Sequence, residues 1–125
     1  MNGWDTPSVD LIALLPRTSR GPRREATFAL WLTVRAALDL LLDPPLPERA
    51  QEKRLAGLET RLSSLTLPGP LRRALSTALL HLRGAQAETV AIVLAHLVAP
   101  TRETVGSEAA EAVAQAAKQA RQRAR

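Results

Sequence analysis

The sequence contains no cysteine and no tyrosine, and it has only one phenylalanine and two tryptophans. The lack of cysteine excludes disulfides, thiolate metal sites and cysteine nucleophiles. With so few aromatic side chains, the core must be built from leucine, alanine and valine, as in many helical bundles. Hydrophobic residues make up 46% of the chain, which is typical of a globular protein. We therefore predict a single helical domain over residues 1–125.

Signals for a membrane or for export are weak. The first residues, MNGWDTPSVD, are acidic where a signal peptide needs basic residues. Residues 26–42 are barely long enough to span a bilayer, and they contain Arg35 and Asp39. Each charge would cost roughly 2.5–3.5 kcal/mol at the bilayer centre. A buried helix is the better interpretation, and we expect a cytoplasmic protein with no membrane partner.

The longest apolar stretch covers residues 24–42 and is bracketed by Pro22 and Pro44. Steps of three and four residues predict a helix with one small-residue face. Its members are Ala26, Ala29, Leu30, Thr33, Ala37, Leu40 and Leu41. The opposite face carries Phe28, Trp31 and Arg35, which we call the aromatic stripe, together with Arg24, Asp39 and Leu42. Arg35 and Asp39 are four residues apart and are expected to pair.

Proline and glycine divide the rest of the chain into further helices. The pattern predicts helices over residues 47–65, 70–84, 87–99 and 107–123, and a short N-terminal helix that ends at Pro16. Residues 89–94 are rich enough in β-branched side chains for a buried strand, but no partner strand is visible, so a helix ending at Pro100 is preferred. The fold class is all-α: a compact bundle of four main helices, the short N-terminal helix and an alanine-rich C-terminal helix.

The last helix differs from the others in composition. Its apolar face consists of Ala109, Ala110, Val113, Ala116, Ala117 and Ala120. Alanine side chains bury little apolar surface, so we expect this helix to dock weakly and to project from the bundle or exchange between subunits.

No constellation of catalytic residues is visible. His81 and His96 fall on neighbouring predicted helices at different heights, and no carboxylate accompanies either at a metal-ligand spacing. We expect both to be structural. The six glycines are scattered singly, so no phosphate-binding loop is present. We expect no enzymatic activity, no metal and no cofactor.

Basic residues concentrate at two places. The loop 16–23 and the following helix start carry Arg17, Arg20, Arg23 and Arg24, and the C-terminal basic helix 107–125 carries Lys118, Arg121, Arg123 and Arg125. Contacts of both clusters with phosphates would make a small, non-enzymatic component of a larger assembly that binds nucleic-acid backbone without sequence selectivity. Solubilising charge and matching of the helix dipole would also explain these residues.

The alternative function is a protein–protein adaptor or a self-associating scaffold, which makes a homo-oligomer a second type of partner. Tryptophan and arginine dominate binding hot spots. The candidate interface consists of Phe28, Trp31 and Arg35 with Ala109, Val113, Ala116 and Ala120. Under the competing interpretation, another helix of the same chain covers the aromatic stripe.

Overall fold

The computed structural model describes residues 22–42 and 46–124, apart from the side chains of Pro22 and Arg23. Six helices follow one another: α1 Pro22–Asp39, α2 Glu48–Ser63, α3 Gly69–Leu82, α4 Ala87–His96, α5 Val98–Thr104 and α6 Ser107–Arg123. This part of the chain contains no strand, so the all-α prediction is confirmed and residues 89–94 are helical. The predicted N-terminal helix lies outside the described residues.

Helix α1 occupies the centre and contacts α2, α3, α4 and α6. The predicted small-residue face is buried from Ala26 to Ala37, whereas Leu40 and Leu41 are only half-buried. The buried hydroxyl of Thr33 donates to the carbonyl of Ala29 at 2.8 Å, which satisfies it inside the helix.

Helices α1 and α2 run alongside each other in opposite directions. Asp39 at the end of α1 pairs with Arg54 in α2, and Glu25 near the start of α1 accepts a hydrogen bond from the backbone N–H of Thr66, just beyond α2, at 3.2 Å. Asp39 also pairs with Arg35, Nε to Oδ1 at 3.5 Å, as the four-residue spacing predicts.

The leucine-rich faces of α2 and α3, which we call the leucine seams, point into the core. Leu55, Leu58 and Leu62 are buried on α2. On α3 the buried residues are Leu71, Leu75, Ala78, Leu79 and Leu82. Gly84 follows the end of α3 with φ +68°, a left-handed conformation that favours glycine.

The sequence predicted that the fourth helix ends at Pro100, and this prediction is wrong. Helix α4 ends at His96, and Pro100 lies in the first turn of the separate short helix α5. Proline has no N–H to donate to the carbonyl of His96, so α4 cannot continue through it. In the first turn of α5 that N–H would have no acceptor within the helix, so proline is tolerated there.

The expectation of a loosely attached last helix is corrected. Helix α6 packs extensively against α4 and α5 and also contacts α1. Its apolar face, which additionally includes Ala112, is at most 6% exposed. Small side chains allow the helix backbones to approach closely, so contacts between many atoms replace the burial of large side chains.

We expect Ala116→Leu to lower the free energy of unfolding by about 1–3 kcal/mol, because a larger side chain cannot fit at this fully buried position. Ala114→Leu is the matched control, since Ala114 is exposed on the same helix and leucine has a helix propensity close to that of alanine. Urea denaturation of the two variants measures the difference. Equal stabilities would show that α6 does not pack tightly.

Candidate functional site

Neither histidine is a core residue. His81 and His96 are both exposed, and both border the same cleft between α3 and α4. Only four residues connect the two helices. His81 therefore lies towards the connected end of the cleft and His96 towards the opposite end. Within residues 22–42 and 46–124, no three histidine or carboxylate side chains are grouped where they could hold a metal ion.

The α3–α4 cleft has a volume of about 440 Å³. Its apolar lining consists of Ala74, Ala78, Ile92, Val93 and Leu97. Polar groups come from Arg73, Thr77, His81, Thr89 and His96, and no carboxylate is among the lining residues. Ile92 projects into solvent with 52% of its surface exposed. The cleft thus combines apolar walls with basic side chains.

A second groove, of about 460 Å³, runs along the other side of α3, between α3 and α2. Leu62, Leu75 and Leu79 line it, and Leu80 is 68% exposed at its edge. Its cations are already engaged. Arg83 pairs with Glu59 at 3.0 Å, and Arg72 donates to the carbonyl of Leu65.

Helix α3 and its two flanking grooves form what we call the α3 surface. Leu80 and Ile92 are the most exposed large hydrophobic side chains of the described residues, and each borders one of the grooves. Sequence reasoning missed this surface. The available signal was that Leu80 and His81 fall off the leucine seam of α3.

The aromatic stripe is partly covered by α2. The rings of Phe28 and Trp31 stack with centroids 6.1 Å apart, and the guanidinium of Arg61 lies 5.3 Å from the centroid of Phe28. Trp31 is half-buried against the core, and its Nε1 is buried without a partner among the described residues. The structure therefore favours the interpretation that another helix of the same chain covers the stripe, while Arg35 stays exposed beside Asp39.

The alanine part of the predicted interface is not accessible. Ala109, Val113, Ala116 and Ala120 are at most 1% exposed, because they form the contact of α6 with the rest of the bundle. These four residues are core and are withdrawn as interface candidates.

Four residues of the two basic clusters have side chains that the structure describes. Arg17, Arg20, Arg125 and the side chain of Arg23 lie outside the described residues. Arg24, Lys118, Arg121 and Arg123 are exposed, and Arg24 and Arg123 already interact with other groups. Lys118 and Arg121 lie three residues apart on α6, where adjacent turns place them side by side.

No family model, curated protein or solved structure matches this chain. None of the helices in the described ranges has both the length and the apolar character needed to cross a bilayer.

We expect Trp31→Ala to lower the free energy of unfolding by about 1–3 kcal/mol, since the indole packs against the core but is only half-buried. Trp31→Phe should cost less than about 1 kcal/mol, because it keeps an aromatic ring and removes the unpartnered Nε1. Thermal or urea unfolding of both variants measures the two values. If Trp31→Ala left stability unchanged, Trp31 would not be part of the core.

Proposed function

We propose that this chain is a non-enzymatic protein-binding module and that the α3 surface is its contact surface. One observation carries the proposal: Leu80 and Ile92, the most exposed large hydrophobic side chains of the described part, border two grooves on opposite sides of a single helix. We include a cytoplasmic location in the proposal.

Exposed hydrophobic residues that occur singly are common on protein surfaces and need no explanation. Here each lies beside a concave groove lined by buried leucine, valine or alanine side chains. A partner can place its own apolar side chains in such grooves and remove Leu80 and Ile92 from water in the same contact. Apolar centres with polar borders are the usual composition of protein interfaces.

Binding to nucleic-acid backbone is a second candidate, favoured by the adjacent exposed cations Lys118 and Arg121. Two phosphate contacts give weak binding that depends on salt, so this candidate needs contributions from further basic residues. The grooves beside α3 add nothing to it, since a phosphate backbone has no apolar side chains to place against Leu80 or Ile92.

To test the α3 surface, we would titrate ¹⁵N-labelled protein with a helical peptide that carries leucine at positions i, i+3, i+4 and i+7 in a glutamine background. We expect amide shifts to change mainly in α2, α3 and α4. The double variant Leu80→Ser, Ile92→Ser should bind about tenfold more weakly, the effect of losing one buried leucine-sized contact.

The matched control is Ala56→Ser, Ala114→Ser, which changes two exposed alanines on α2 and α6. Circular dichroism and thermal unfolding of both double variants confirm that they fold. Shift changes that cluster away from α3, or equal binding by the two double variants, would refute the α3 surface as the contact site.

To test the second candidate, we would measure binding to duplex DNA at several salt concentrations. If α6 contacts phosphates, Lys118→Gln, Arg121→Gln should weaken binding and reduce the slope of log affinity against log salt by about 2, close to one unit per lost contact. Arg49→Gln, Lys53→Gln is the control, because it removes two exposed cations from α2. Equal slopes for both double variants would exclude α6 as a nucleic-acid contact.

A further inference from the structure

We infer that the occupant of the α3–α4 cleft is an amphipathic helix of a partner protein with acidic residues at both ends of its apolar face. This inference rests on the proposed function and adds to it the chemistry of the partner.

The ionisable side chains that line the cleft all belong to basic residue types. Its ionisable lining residues are Arg73, His81 and His96, and no aspartate or glutamate is among them. Arg73 is exposed and has no hydrogen bond or ion pair with the described residues. A carboxylate on the partner can accept hydrogen bonds from the guanidinium and from imidazole N–H groups.

The groove between α2 and α3 lacks this property, although its size is similar. Arg83 is already paired with Glu59, and Arg72 donates a hydrogen bond to the backbone carbonyl of Leu65. An acidic segment would have to break these contacts before it could gain new ones. The preference for carboxylates therefore belongs to the α3–α4 cleft.

The dimensions of the cleft suit about two turns of helix. Arg73 and His81 are eight residues apart on α3, which corresponds to about 12 Å along the helix axis. Apolar side chains at i, i+4 and i+7 of a partner helix span about the same length. They would cover Ile92 and contact Val93 and Leu97. Carboxylates beyond them would then meet Arg73 and His96 at one end and His81 at the other.

A second copy of this chain is a poorer occupant. Each copy carries a net charge of +5, so two copies repel each other. Charge complementarity around the cleft instead favours a different, acidic partner.

To test the inference, we would measure the affinity of the full chain for three peptides by fluorescence anisotropy. All three carry the same leucine positions and are flanked at both ends by glutamate, glutamine or lysine. We expect the glutamate peptide to bind roughly fivefold more tightly than the glutamine peptide, as a few exposed ion pairs allow, and the lysine peptide to bind most weakly. Amide shifts should locate the glutamate peptide between α3 and α4.

Arg73→Gln should remove most of the preference for glutamate, so that the glutamate and glutamine peptides bind this variant with similar affinity. Arg83→Gln is the matched control, because this arginine lies at the other groove of the same helix and is paired with Glu59. It should leave the preference intact.

The outcomes separate the inference from the proposed function. Equal binding of the glutamate and glutamine peptides at the α3 surface would overturn the inference and leave the proposed function standing. Binding of the glutamate peptide in the α2–α3 groove would do the same. If no peptide perturbs the α3 surface, both the inference and the proposed function fail.

Two further outcomes would identify a different occupant. Concentration-dependent dimers that the peptide dissociates would identify a second copy of this chain. Equally tight binding of decanoate would identify a small amphiphile. Either result would overturn the inference.

Discussion

The close contact between the alanine face of α6 and the helices α4 and α5 is the constraint on which the rest of the bundle depends. Each alanine removes little apolar surface from water, so the contact depends on the close approach that small side chains allow between α6 and its neighbours, where the face from Ala109 to Ala120 is buried. This contact covers one side of α4. Helix α1, which contacts both α4 and α6, contributes further buried side chains to the core. The large side chains of the protein are then concentrated on α1 to α4, around the leucine seams.

Once α6 covers one side of α4, the other side of this helix faces α3 and solvent. Ile92 lies inside the apolar run 90–94 of α4, yet it is exposed while Val90, Ala91, Val93 and Leu94 are buried. Helix α3 meets a similar limit. It contacts α4, α5, α1 and α2, and Leu80 is left outside these contacts. The α3 surface thus forms because α3 and α4 bury their other faces against neighbouring helices and no described helix covers Leu80 or Ile92.

The sequence predicted most of the fold because its strongest signals are local. The pairing of Arg35 with Asp39 depends only on a four-residue spacing, and it is confirmed. The buried steps Leu55, Leu58 and Leu62 and the left-handed Gly84 are local features of the same kind. The attachment of α6 was misjudged because burial per residue was used as the criterion, whereas the contact depends on the distance between backbones. The break at His96 was missed because Pro100 can end one helix or stand in the first turn of the next.

The candidate site was less predictable for a different reason. In an apolar run such as residues 89–94, periodicity does not show which side faces solvent, so Ile92 could not be distinguished from Val93. The sequence shows Arg73 and Arg83, but it does not show which of the two is available to a partner. Arg73 lies on α3 and Arg83 directly follows its last residue, yet Glu59 of α2 pairs with Arg83 and no described residue pairs with Arg73. This difference depends on which helix lies on each side of α3. It gives the two grooves different charge although both are lined by aliphatic side chains. One groove can therefore select carboxylates while the other offers only an apolar contact, and a partner that uses both must match this asymmetry.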